Sequence, residues 1–213
     1  MKYGLVYHTG FFGIAPEQVT GLARHAEQCG FESFFTTEHI ALYPGVTLGR
    51  MPIAPDTPIA DPLEVLSFVA GVTERIILGT SVLLLPFHQP VVLAKRLATI
   101  DQLSRGRMRL FGIGVGSLAK EAEAAGVDFH TRGRRADEQR SAQVVLMRET
   151  ARAAGRDADA LEYTRWGNIA MTPDDVAPLA ADGVTRLIVS PTTADLAGQR
   201  DELSAFAERH GLG

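Results

Sequence analysis

The chain is poor in several things that a sequence of 213 residues can be rich in. Its single cysteine, Cys29, cannot form an internal disulfide, and without a Cys-x-x-Cys pair it offers no metal or redox motif. Cys29 falls on the apolar face of the first expected helix and reads as an inert buried thiol. No run reaches the roughly 18 uninterrupted apolar residues of a membrane span. The opening MKYGLVYHTG lacks the apolar core of a signal peptide. A cytoplasmic protein with no membrane partner is therefore expected. Charge of one sign is scarce too: 21 basic and 25 acidic residues leave a net −4, which argues against a nucleic-acid partner. The six histidines show no metal-site spacing, and no serine sits in a Gly-x-Ser-x-Gly turn.

What is present is an ordinary globular balance, 46% hydrophobic and 22% charged, enough for one domain over residues 1–213. Its organising stretch is residues 75–116. An Ile/Val/Leu run breaks at Pro86, a helix follows with Val92, Leu93, Leu97 and Ile100 on one face, and a second strand closes in alternating glycines. Runs of that kind read as strands buried on both faces, as parallel sheets require. One punctuation recurs, glycine then an apolar residue shortly before a strand: Cys29-Gly30-Phe31 precedes SFFTT, and Asp182-Gly183-Val184 precedes RLIVS. Repeated βα units explain it most simply. Six strands are expected, near Tyr3, Phe34, Leu78, Leu110, Ile169 and Ile188, with Arg165-Trp166-Gly167 interrupting the fifth. Residues 132–154 read as one long helix. A (β/α) barrel and an open doubly wound sheet both fit, although six strands are few for the former.

In either layout, sites form at the carboxyl ends of the strands. The candidates there are His8, Glu38-His39, Thr80-Ser81, His88, the series Gly112, Gly114 and Gly116, and Ser190. His39 is the most pointed, because it ends a strand, follows Glu38 and precedes a proline- and glycine-rich loop of about 20 residues, a length that usually serves binding. His88 reads as a loop histidine bonded to backbone. The glycine series is one residue short of a dinucleotide fingerprint, and Arg132, Arg134 and Arg135 would be its 2′-phosphate partners. A glycine-lined strand end that lets a flat ring approach is the better account.

Three phrases carry a resemblance: LGTSVLLLPFHQPVVLAKRLATIDQLSRGRMRLFGIGVG at residues 78–116, TTEH at 36–39 and GVDFHTRGRRADE at 126–138. Over about residues 1–140 the chain resembles the bacterial luciferase-like flavin- and coenzyme F420-dependent oxidoreductases. The resemblance implies an α/β fold, a TIM barrel of the luciferase-like type. Here it would be incomplete, with about six parallel strands instead of eight and an internal deletion near residues 136–150. It implies FMN or coenzyme F420 as cofactor, a small organic substrate, oxidoreductase or monooxygenase chemistry, and a homodimer. A catalytically silent flavin- or flat-ligand-binding protein of the same descent is the alternative. Carried over by position, His39 would line the reaction face of the ring beside Glu38. Thr80, Ser81 and Val82 would lie behind the ring, with a non-prolyl cis peptide at Thr80-Ser81, and Gly112, Gly114 and Gly116 would border the pocket. The family's phosphate-holding loop has no counterpart, and residues 190–193, Ser-Pro-Thr-Thr, are the candidate replacement.

Overall fold

In the computed structural model, which describes residues 1–48, 51–129 and 140–213, parallel pairing makes the chain cross over between successive strands. β1 (Lys2–Tyr7) leads through a one-turn α1 (Thr9–Phe12) and α2 (Pro16–Gln28) to β2 (Ser33–Thr36). A hairpin of two-residue strands, β3 (Thr47–Leu48) and β4 (Met51–Pro52), lies in the long loop before α3 (Pro62–Ala70). Next come β5 (Ile77–Leu84), a 3₁₀ turn (Leu85–Phe87), α4 (Pro90–Leu103) and β6 (Met108–Gly114). Beyond α5 (Ala119–Ala124) and α6 (Arg140–Ala153) lie β7 (Thr164–Trp166), α7 (Pro173–Ala181), β8 (Arg186–Val189) and α8 (Leu196–His210).

The sheet order is β6-β5-β2-β1-β8-β7, and every neighbouring pair is parallel. This is a curled half-barrel, an incomplete (β/α) barrel rather than a doubly wound sheet. Tyr3, Leu5 and Tyr7 of β1 join the main core, which includes Leu22 and Ala26 of α2, Leu66 of α3 and Phe206 of α8. The concave side holds a smaller cluster of Val6, Phe35 and Ile188 with Leu110. Helix starts follow their caps: the Asp61 side chain accepts from Leu63 and Glu64 N–H, and Thr172 and Asp175 form a capping box on α7. Among the described residues, no helix is long and apolar enough to cross a membrane.

Four expectations need correction. Strand β7 is formed by Thr164–Trp166, the segment expected to interrupt it, because Arg165 and Trp166 pair with Leu187 and Ile188 of β8. Neither long strand of the 75–116 unit is buried on both faces: Val82 is exposed to a cleft, and on the edge strand β6 exposed residues alternate with half-buried ones. Val92 points away from the core that takes Leu93 and Ile100. Cys29 is half-buried, not buried, with Sγ 3.4 Å from His25 Nε2 at the α2–α8 seam. The long helix is described as α6 from Arg140 onward; residues 130–139, including Arg132, Arg134 and Arg135, lie outside the described residues.

The amino-terminal end of the half-barrel is closed by charge. Arg186, 2% exposed, opens β8 opposite Lys2 of β1. Its Nε and Nη2 donate to Glu32 at 2.7 and 2.8 Å, its Nη2 to Glu162 at 2.6 Å and its Nη1 to Thr164 at 3.1 Å. Lys2 pairs with Glu162 as well. Burial alone would raise the Glu32 carboxyl, but hydrogen bonds and charge from Arg186 hold it below the ordinary carboxylate value. A lowered folded pKa means that this stability is present above the unfolded value and lost as pH falls through the folded one. Arg186→Met is expected to cost about 3 kcal/mol in urea unfolding at neutral pH. Its stability should also fall less steeply than the parent's as pH drops below about 4.5.

Candidate active site

The carboxyl ends of the strands open into a cleft of about 680 Å³, a volume typical of ligand sites. Strand β1 supplies His8 at its end, α1 supplies Phe11, β2 runs into Thr37, Glu38 and His39, β5 gives Ser81, Val82 and Leu84, β6 runs into residues 114–117, and β7 ends on Trp166. The cleft thus gathers Glu38, His39, Ser81, Val82, Gly114 and Gly116 from the expected site. Thr80 and Gly112 do not line it. They line an adjoining trough of about 460 Å³ on the concave side, which shares Ser81, Val82 and Trp166 with the cleft.

Glu38 and His39 are adjacent, yet each is tied to a different partner. Glu38 is 5% exposed; one oxygen accepts the Leu84 N–H and the other lies 2.8 Å from His88 Nε2. Both oxygens therefore bind the scaffold that turns β5 into the 3₁₀ segment. His88 bonds this carboxylate instead of the backbone expected for its side chain. Burial raises the Glu38 carboxyl above its ordinary value despite those two contacts. His39 Nδ1 lies 3.0 Å from Oε2 of Glu121, a residue with no exposed surface. Glu121 carried no local signal. It sits 82 residues from His39 in a run of alanines, and only the fold brings them together.

One wall of the cleft is aromatic. His8 stacks on Trp166 with centroids 5.4 Å apart and planes 28° from parallel, and Phe11 lies 5.3 Å from His8. Burial, with a smaller contribution from His39, lowers the His8 pKa to about 4, so its ring is neutral at physiological pH. Among the described residues, no Lys or Arg lines the cleft. The stacked pair and Val82 give the cleft flat and apolar surface.

The strand ends differ from expectation in three details. The non-prolyl cis peptide joins Ser81 to Val82, one bond later than expected. Gly112 and Gly114 have a requirement from the neighbouring strand that the sequence did not suggest. A Cβ on Gly112 would stand 2.3 Å from the Thr80 carbonyl oxygen, and one on Gly114 would stand 2.7 Å from Val82 Cγ2. The close approach arises where β5 departs from regular register with β6, between Thr80 and Leu83. Lastly, Thr192, in the candidate phosphate loop after β8, donates its backbone N–H and hydroxyl to Glu202 at 2.6 and 2.5 Å. A carboxylate of the protein already holds the donors that a phosphate would need. Among the described residues, no group of three His, Cys, Asp or Glu is placed to hold a metal ion.

A half-barrel of six parallel strands with an open cleft at their ends defines a (β/α)-barrel relative. Residues 4–141 match the luciferase-like monooxygenase family, and the chain belongs to that family. It is 38% identical over 107 residues to limonene 1,2-monooxygenase of Rhodococcus erythropolis, covering 50% of this chain and 24% of that one. It is 38% identical over 110 residues to the F420-dependent glucose-6-phosphate dehydrogenase of Beutenbergia cavernae, covering 51% and 30%. The chain spans less than half the length of these relatives. In fold it is similar to the monooxygenase RslO1 from Streptomyces bottropensis, with a TM-score of 0.73, 18% identity and 98% of each chain covered. The family includes both F420-dependent enzymes and monooxygenases.

Removing the Glu38 carboxylate tests the scaffold. Glu38→Ala leaves the buried Leu84 N–H unpaired and should lower unfolding stability by about 1–3 kcal/mol, with Glu38→Gln losing less. A raised folded pKa places the contribution of Glu38 below its unfolded value and removes it as pH rises through the folded one. Glu38→Gln should therefore flatten the stability–pH curve just above about pH 4.5.

Proposed function

We propose that the cleft binds the tricyclic ring of a flavin or deazaflavin, FMN or coenzyme F420, and that the chain is an oxidoreductase of the luciferase-like type acting on a small organic substrate. The observation that carries this reading is the cleft itself. Its space of about 680 Å³ is lined by the stacked His8 and Trp166, by Val82 and by His39. When bound, such a ring supplies hydride transfer or oxygen activation. This chain's residues would seat the ring, keep a neutral His8 against it and present His39 near the reacting face. Glu38 would contribute by holding β5 in place, since both its oxygens are bound to the scaffold. Ser81, Val82, Gly114 and Gly116 would border the ring, with Thr80 and Gly112 supporting them from the trough side.

A second reading, a catalytically silent binder of a flavin or another flat ligand, draws support from Glu202. It occupies the donors of Thr192, which takes that residue of the candidate loop away from a phosphate tail. Titration with oxidised and reduced F420, FMN and riboflavin, followed through the single tryptophan, Trp166, separates these outcomes. Riboflavin is expected to bind as tightly as FMN. Failure of every ligand to bind below millimolar concentration removes the ring-binding proposal, and binding without turnover of any substrate favours the silent reading.

We also infer a homodimer. Among the described residues, strands β6 and β7 are the edges of the sheet, and the outward-pointing Val91, Val92 and Leu103 of α4 are 73%, 57% and 74% exposed. Light scattering at micromolar concentration should report twice the chain mass of 23.0 kDa; a monomer would count against the pairing.

A further inference from the structure

Behind His39 lies a carboxylate that solvent does not reach. Glu121, in the first turn of α5, has no exposed surface and does not line the cleft that His39 lines. Burying a carboxylate is costly unless its oxygens are well bonded, and among the described residues Glu121 bonds three consecutive ones. Its Oε1 accepts the backbone N–H of Ile40 at 2.6 Å and of Ala41 at 3.3 Å. His39 Nδ1 lies 3.0 Å from its Oε2 and, farther off, 3.3 Å from Oε1. The two amides aim the carboxylate, because holding Oε1 in place directs Oε2 at the ring. Lys120, next to Glu121, lies over the Tyr43 ring at 5.2 Å, a second tie between α5 and this loop.

We propose that Glu121 is the positioning residue that decides which ring nitrogen of His39 carries the proton. A carboxylate only accepts hydrogen bonds, so Nδ1 must carry its hydrogen toward Glu121. The neutral ring then offers Nε2 to the cleft as a bare acceptor, and a protonated ring offers it as a donor. The same second contact that fixes a metal-binding histidine's tautomer in other proteins here fixes one that faces an organic ligand. The consequence for chemistry rests on the ring-binding reading of the cleft. The tautomer assignment does not, because it is a property of the ligand-free chain.

Glu121→Gln separates this role from a merely structural one. The amide oxygen can keep the two loop N–H groups at the Oε1 position, which leaves the NH₂ at the Oε2 position to donate to Nδ1. The loop stays held while the ring must move its proton to Nε2. Two-bond proton–nitrogen correlation spectra of ¹⁵N-labelled, ligand-free protein report both states at about pH 9, above the ordinary histidine range. The His39 signals are assigned by their loss in His39→Gln. In the parent, Nδ1 is expected to show the protonated shift and Nε2 the unprotonated one; in Glu121→Gln the two shifts exchange. An unchanged tautomer in a folded Glu121→Gln chain overturns the proposal. So does a parent protein that already carries its proton on Nε2, a result that needs no variant to fold. Failure to bind F420, FMN or riboflavin would remove the proposed activity and leave this result standing.

Discussion

The carboxyl end of β2 is the point on which the site depends. Two adjacent residues leave it in different directions, one a buried carboxylate and the other held by one. Glu38 reaches to β5 and fixes Leu84 and His88, while His39 is held from behind by Glu121 of α5. Buried carboxylates are expensive unless fully bonded, so each of these ties specifies geometry more than it adds stability. Together they set the distance between the Val82 side of the cleft and the edge where His39 stands. Loosening either would change the shape of the cleft without unmaking the sheet.

The half-barrel makes that local order necessary. In a closed barrel, each strand end is held by neighbours on both sides. Here β6 and β7 are edges, and the concave surface between them is an open trough in place of packed layers. The interior cluster is correspondingly small, with Val6, Phe35 and Ile188 against Leu110, and the main core lies between sheet and helices. At the opposite end, Arg186 draws Glu32, Glu162 and Thr164 together, joining β8 to the segments that lead into β2 and β7. Charge closes one end of the half-barrel, and carboxylate–histidine pairs order the other.

Much of the fold was legible because local signals wrote it. Proline and aspartate at helix starts, glycine at helix ends and apolar strand runs placed α2, α3, α4, α8 and most strands within a few residues. Strand β7 was misplaced because Arg165 and Trp166 do not look like buried strand residues. Their pairing with β8 is what makes them strand. The glycines of β6 stood at the expected strand end, and the sheet adds a second reason for two of them, Gly112 and Gly114. Their lack of side chains accommodates Thr80 and Val82 across the sheet, a contact that depends on an irregularity in β5.

By itself, the sequence determined the lineage, the parallel βα plan and the placing of Glu38 and His39 at a strand end, because each depends on residues close together in the chain. Only the tertiary structure decided what those two residues do. The partners of Glu38 lie 46 and 50 residues away and that of His39 lies 82 away, beyond any local pattern. It also decided that Thr192 is already held by Glu202, and that Trp166 stands against His8 as a wall of the cleft. Hydrogen bonds and stacking act over a few ångströms of space, and sequence separation does not record that distance.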